Sequence, residues 1–364
     1  MEYLNWSQVV EGKLDTWVKF KFTLTIHQQM ELVHLLHGVT SVNFESDGDV
    51  YLMLPPSVIR VDVVARRVFV RENSLRYVCL SNVEKIEWNS FPYITTLVLN
   101  KCRVKFIPTF PTLVCLTVND LGPRNIHLDY AMTEVNLSYP RLKSFTAKEY
   151  VSSLKLENCI LKRLKVKKWG KRMFLSNVDL SKVKLKGDGP CHLTLNYVKM
   201  EDLRFTKVLY LNMFNTEMKG FGIHPKLVTL STNCIFDLTS HHTPNLKVFY
   251  STVTKDNVEW CTNIMAHMPI RIFVVRMAEG DIYPILTGFR LEPNLTLGMM
   301  HLDVVKGSYA WNLAEWSNLS ELGAAQHALL TLFKAGLSKD LLLLVNQMLM
   351  PRNESLDELR RLEM

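Results

Sequence analysis

VSSLKLENCIL, from Val151 to Leu161, is the stretch whose reading decides the fold. Its Leu154 and Leu156 flank Lys155, an alternation that places two apolar side chains on one face of a strand and the lysine on the other. The same phrase recurs as ITTLVLNKC from Ile94, LVCLTVNDL from Leu113, LRYVCLSNV from Leu75 and MTEVNLSYP from Met132. Following the position of Leu154 along the chain gives Val42, Val61, Val78, Leu97, Leu116, Val135, Leu154, Met173, Leu193, Leu211, Leu230 and Phe249, with steps of 17 to 20 residues and most of them 19. Every one of these positions is apolar. Two residues further on stand Phe44, Val63, Leu80, Leu99, Val118, Leu137, Leu156, Leu175, Leu195 and Met213, before Thr232 and Ser251 break the column.

A second apolar position follows ten residues after the first, at Phe145, Leu164, Val183, Leu203 and Phe221. Each window therefore turns back and buries its far side as well. One such coil cannot bury its apolar face alone, so coils must stack, with strands paired about 4.8 Å apart. The product is a parallel solenoid of about twelve coils.

L-x-x-L-x-L-x-x-C-x-L, read from Val151 to Leu161, resembles the leucine-rich repeat consensus L-x-x-L-x-L-x-x-N/C-x-L, and the resemblance covers Val39 to about Thr254. It implies an interaction scaffold, a fold signal far more than a functional one. The chain departs from the pattern where the family has Asn or Cys. Cys102 and Cys159 fit, but Val83, Leu121, Pro140, Val178, Val198 and Thr216 stand at the other copies, with Asn82, Asn119, Asn158, Asn177 and Asn233 one residue earlier or nearby. A 19-residue period leaves too few residues for a full helix after the strand and its turn, so the back of each coil is expected to be extended or 3₁₀. The expected fold class is α/β, mostly β: a leucine-rich-repeat-like solenoid with a parallel strand face and small caps.

The flanks read differently. Residues 1–38 combine a strand-like VKFKFTLTI (Val18 to Ile26) with HQQMELVHLLHG, a short helix ending at Gly38, and suit an N-terminal cap. The solenoid occupies 39–254. Residues 255–364 suit a C-terminal cap: IRIFVV (Ile270 to Val275) and NLTLGM (Asn294 to Met299) as degenerate strands, then a helical pattern from Trp311 onward, with Gly336 and Ser338 as helix stop and start.

Composition bounds the function. The chain is 48% apolar and 21% charged, which excludes a disordered or low-complexity chain. Seven cysteines and an N-terminus without a basic start and apolar run point to reduced thiols in an intracellular protein, cytoplasmic or nuclear. The longest apolar run, Leu341 to Met350, is too short to span a bilayer, which takes about 20 residues. No nucleotide-binding glycine loop, zinc-protease helix, C-x-x-C pair or nucleophile elbow occurs. His241 and His242 are adjacent and diverge, so they make a poor metal pair, and Cys261 lacks a catalytic C-x-D signature. The remaining cysteines fall on repeat positions and read as small core residues. No enzyme, metal or cofactor is expected.

Two surfaces are left. On the strand face the early coils present small polar residues, Asn43, Asp62, Thr96, Thr117 and Asn136, while later coils present Phe174, Tyr197, Tyr210, Asn212, Phe214 and Tyr250. Aromatic rings interleaved with Asn have the composition of a protein-binding hot spot, although the same rings could pack beneath the C-terminal cap. The charge map gives the other surface. Eighteen Lys/Arg and seven Asp/Glu fall between Arg141 and Lys219, a local balance of +11 against +8 for the whole chain. The repeat register sorts these cations into columns on the back: Lys165, Lys184 and Arg204; Lys148, Lys167 and Lys186; Arg163 with Lys182. Like charges about 5 Å apart repel by roughly 1 kcal/mol in water, which an acidic protein, nucleic acid or anionic membrane surface would relieve. The expected function is a non-catalytic scaffold binding another protein through its strand face, with anion binding through the lysine columns as the alternative.

Overall fold

The computed structural model describes residues 17–20, 26–71, 74–86, 88, 93–252, 257–268, 270, 272–277, 299–304 and 309–313. Close contacts divide the chain into two units, Met1–Lys184 with Tyr197–Glu201, and Leu185–Asn196 with Asp202–Met364.

In the first unit the chain runs β1 (Trp17–Phe20), α1 (Ile26–Leu35), β2 (Ser41–Glu45), β3 (Asp49–Met53), β4 (Arg60–Val64), β5 (Arg67–Arg71), β6 (Tyr77–Ser81), β7 (Lys85–Ile86), β8 (Thr96–Asn100), β9 (Cys115–Asn119), β10 (Asn125–Leu128), β11 (Met132–Ser138), β12 (Ser144–Ile160) and β13 (Arg163–Leu180). The front strands pair in parallel, one rung to the next, in the register that the sequence repeat predicts. Val42 pairs with Val61, Val61 with Val78, Val78 with Leu97 and Leu97 with Leu116. The ladder goes on through Val135, Leu154 and Met173. All of these side chains are buried. Parallel pairing also reaches β1, where Val18 meets Val42.

A repeated hydrogen-bond device starts each front strand. Two successive N–H groups of one rung donate to a single carbonyl of the rung before: Thr95 and Thr96 to Arg76, Val114 and Cys115 to Thr95, Thr133 and Glu134 to Val114. The far end of the strand turns on a residue with left-handed backbone. Asn82, Lys101, Asp120, Asn158 and Asn177 have φ of 62°, 54°, 64°, 53° and 52°. Each stands four residues after a front core position. Asn and Asp adopt this conformation more readily than most L-residues, which explains why Asn recurs here. Tyr139, at the same place in its rung, is not among the left-handed residues. It precedes Pro140, which biases it toward extended backbone, and its side chain is buried instead.

The back of the rungs is extended. Strands β3, β5 and β7 form a small parallel sheet. Further along, Ile126, Phe145 and Leu164 stack in one column. In β12 and β13 back and front merge into single long strands, with register shifts between Ala147 and Tyr150 and between Val151 and Ser153 where the pair bends. Gly170 lies at this bend, and a Cβ there would clash with the Ser152 backbone.

The second unit continues the pattern with β14 (Leu185–Gly187), β15 (His192–Phe205), β16 (Tyr210–Phe214), β17 (Glu217–Phe221), β18 (Thr229–Thr232), β19 (Val248–Thr252), α2 (Val258–His267), β20 (Ile272–Met277), β21 (Met299–Val304) and β22 (Tyr309–Leu313). Leu193, Leu211, Leu230 and Phe249 pair in sequence, and parallel pairing runs on to Phe273 and Met300. The rung between Phe249 and Phe273 is longer and holds α2. Antiparallel pairing of β21 with β22 ends the parallel run.

Two expectations change. On the back, Leu185 and not Val183 pairs with Leu203. A turn at Ser181, whose N–H donates to the Asp179 carboxylate at 2.8 Å, adds residues before β14 and displaces the column. Trp311 to Leu313, expected to begin a helical pattern, form part of β22, paired with Met300 to Leu302. The expected helices beyond Leu313, with Gly336 and Ser338, lie outside the described residues, as does most of NLTLGM.

Candidate functional site

Within the second unit, β16 carries Tyr210, Asn212 and Phe214 outward while Leu211 and Met213 point in, so the strand alternates half-buried and buried. Asn212 pairs with Ser231, and Ser231 with Tyr250, so Tyr250 stands two strands away in the same outward row. The register also brings in a residue that the sequence reading passed over. His192 lies opposite Tyr210 and stacks on it, with ring centroids 4.4 Å apart and planes 9° from parallel. Its 18-residue distance from Tyr210 was the available signal.

Phe174 and Tyr197 belong to the first unit. Phe174 is on β13 opposite Lys155, whose Nζ lies 5.5 Å from the ring centroid. Tyr197 is not on the strand face. With φ of 51° it turns a corner, and its side chain is 61% exposed. The outward face of the first unit holds another arrangement that the sequence reading missed. The Arg60 guanidinium stacks 4.1 Å over the Tyr77 ring, and its Nη2 reaches Asp62 at 3.1 Å. Arg60 and Tyr77 occupy equivalent positions of adjacent rungs, immediately before the inward Val61 and Val78.

Beside this face, asparagine side chains bridge rungs. Asn119 Nδ2 donates to Asn100 Oδ1, and Asn177 Nδ2 to Asn158 Oδ1, each at 2.9 Å. In the second unit Asn233 Nδ2 donates to Asn215 Oδ1 at 2.9 Å, while Asn215 N–H donates back to Asn233 Oδ1 at 2.8 Å. At the consensus Asn/Cys position the Cys102 thiol takes over, reaching the Leu80 carbonyl at 3.3 Å.

The basic columns differ from the expected stacks of like charge. Lys148 reaches Asp129 at 2.8 Å and Lys167 reaches Glu149 at 3.5 Å, each pairing with an acid one rung away. The Lys148 hydrogen bond holds the Asp129 carboxyl below its ordinary value, with Thr109 and His127 adding to the effect. Arg204 pairs with Asp202 at 2.8 Å. Lys186 sits opposite Arg204, so Lys184 does not share the Arg204 column. Among the described residues Arg163, Lys165, Lys182, Lys184 and Lys186 are exposed and carry no ion pair. Lys182 is close enough to Asp179 to help lower its carboxyl, behind the larger effect of the Ser181 hydrogen bonds.

The cysteines are free. Burial pushes the Cys102 thiol up to about 11 and the Cys159 and Cys261 thiols up to about 12, so these sulfurs stay protonated and poorly nucleophilic at neutral pH. Cys79 and Cys115, expected in the core, instead stand on the outward side of β6 and β9 and are half-buried. Among the described residues no group of His, Cys, Asp and Glu is arranged to hold a metal ion, and no helix is long and apolar enough to cross a membrane.

The paired rungs, their buried double column and the recurring corner define a parallel β-solenoid repeat protein. No protein-family model matches the sequence, and comparison with curated proteins and with solved structures returns no significant match.

Proposed function

We propose that the chain is a non-catalytic scaffold of the leucine-rich-repeat type that binds a protein partner through its outward strand face. The observation that carries this reading is the row on β15, β16 and β19, where Tyr210, Asn212, Phe214 and Tyr250 project from paired strands and His192 stacks on Tyr210. Rings held on a rigid sheet lose little entropy on binding. The leucine-rich-repeat assignment draws support from the buried L-x-L columns and from the asparagines at the corner that follows each strand. Intracellular action fits the seven free cysteines. The test is affinity capture from the native cell with the wild-type chain and with Tyr210→Ala and Phe214→Ala. Capture of the same protein, resistant to nuclease and to 0.5 M salt and reduced about tenfold or more by either substitution, supports the reading; capture indifferent to both substitutions rejects it.

A second reading keeps the back as an anion-binding surface for nucleic acid or an acidic protein or membrane. It is favoured by Arg163, Lys165, Lys182, Lys184 and Lys186, exposed cations without an ion pair among the described residues. It is weakened by the acids already paired with Lys148, Lys167 and Arg204. Nucleic-acid binding would show a log-log salt slope of about −0.9 per neutralised phosphate, whereas binding anchored on the rings would change little with salt.

A further inference from the structure

Three residues past the paired front positions Asn100, Asn119 and Ser138 come Arg103, Gly122 and Arg141, so one column of the first unit places a glycine between two arginines. Gly122 is required by its neighbours. A Cβ there would lie 2.7 Å from Val118 Cγ1 and 2.8 Å from Tyr139 Cζ. Tyr139 occupies that space because Pro140 disfavours the left-handed corner used by most other rungs, and its hydroxyl turns inward to donate to the Pro123 carbonyl at 2.9 Å. Between the two arginines, and lined also by Gly122, lies a cleft of about 410 Å³.

The charges around it are all of one sign. Arg103, Lys105, Arg124 and Arg141 line the cleft, Asn125 adds an amide, and among the described residues no Asp or Glu contributes to the wall. Lys105 and Arg124 again stand one rung apart, beside the Arg103–Arg141 column. Of the four cations, only Arg103 has an ion pair among the described residues, a long contact of 3.8 Å to Glu84 on the side away from Gly122. Two rungs separate Arg103 from Arg141, about 9.6 Å of backbone, a gap that a tetrahedral oxyanion can bridge with one guanidinium on either side. Arginine matches phosphate oxygens with pairs of parallel N–H donors, and four cations around a concavity favour a dianion over a monoanion. Apolar wall from Val104, Leu121 and Pro123 leaves room for the carbon portion of a ligand.

We propose that this cleft binds a phosphomonoester dianion, carried either on a small phosphorylated compound or on a phosphorylated side chain. The inference is independent of the strand-face reading. It is tested by calorimetric titration of the full chain at constant ionic strength with phenyl phosphate, phenyl sulfate, and a phosphotyrosine peptide beside its unphosphorylated twin. Saturable binding of phenyl phosphate at pH 7.5, about tenfold tighter than phenyl sulfate, is expected. Arg103→Glu with Arg141→Glu should weaken it more than tenfold, and Arg76→Glu with Lys247→Glu, exposed elsewhere and equal in charge change, should leave it within about twofold. Should the first pair disturb folding, Lys105→Gln and Arg141→Gln taken singly should each weaken binding about threefold or more. A phosphopeptide bound tenfold tighter than phenyl phosphate, its twin not binding, identifies a phosphorylated side chain as the source; equal or weaker peptide binding identifies a small phosphorylated compound. Equal loss in both charge-reversed pairs, or no saturable binding of any phosphate, overturns the proposal.

Discussion

On the strand face of the first unit, each core position from Val42 to Met173 pairs with its counterpart one rung away, and the steps of 17 to 20 residues leave no gap in that ladder. On the back of the same unit the pairing lapses. β3, β5 and β7 make a short separate sheet, back-strand pairing resumes only with β10, β12 and β13, and among the described residues 101–114 hold no strand at all. Variation in rung length is thus taken up behind the sheet. Where main-chain pairing fails there, side chains bond to carbonyls instead: Tyr139 to Pro123 in the first unit, and His224 Nδ1 to Phe205, at 2.7 Å, in the second. The front is held by a backbone pattern that many sequences satisfy, and the back by particular residues. That division explains why the cleft of the first unit is lined by residues between its front strands.

Truncation at the centre of the front ladder should have the largest effect. Leu154→Ala, at a site with 1% exposure, is expected to cost about 2–5 kcal/mol in denaturant unfolding. A loss below 1 kcal/mol would mean that the rung relaxes around the gap, and the distinction between front and back would fall.

Acid should act next, and on the back. Burial lowers the His224 imidazole to about 4 from its usual 6.5, so the fold holds the neutral ring. Its contribution is complete above about pH 6.5 and disappears as the pH falls toward 4, an expected loss of about 3 kcal/mol. Melting curves of wild type and His224→Gln should therefore converge between pH 7 and pH 4, and parallel curves would refute the assignment.

Tyr139→Phe keeps the ring against Gly122 but strands the Pro123 carbonyl, at an expected cost of about 1–3 kcal/mol. A neutral outcome would show that the back is held by packing alone. Asn177→Ala removes both the left-handed preference and the bond to Asn158, so about 1–2 kcal/mol should be lost, and Asn177→Gly should recover part of it. The smallest change should come from the outward face. Lys155→Ala gives up a contact of 3.0 Å to Glu157 and one to the Phe174 ring, both half-open to solvent, and should cost no more than about 0.5 kcal/mol.

How much could be read in advance follows the same division. Leu97, Leu116, Val135 and Leu154 were identifiable as vertical neighbours because two-residue alternation repeated at a near-constant step leaves one register that buries every apolar side chain. The asparagines at the corners were visible as a tendency, but their role as left-handed residues was not. The lysine columns were only half legible. Counting a repeat of twenty residues put Lys184 with Arg204, whereas the turn at Ser181 shifts the rung and sets Lys186 there. Nor does a charge count reveal that Asp129 and Glu149 reach Lys148 and Lys167 across rungs.

The amino-acid sequence alone therefore determined the solenoid, the identity of the inward columns and the absence of familiar catalytic motifs, since these depend on local alternation and spacing. Only the tertiary structure decided which cations are neutralised, that Tyr197 turns a corner instead of lying on a strand face, and that Arg103 and Arg141 line one cleft. Those outcomes depend on how each corner closes, and a corner is set by contacts between residues of different rungs.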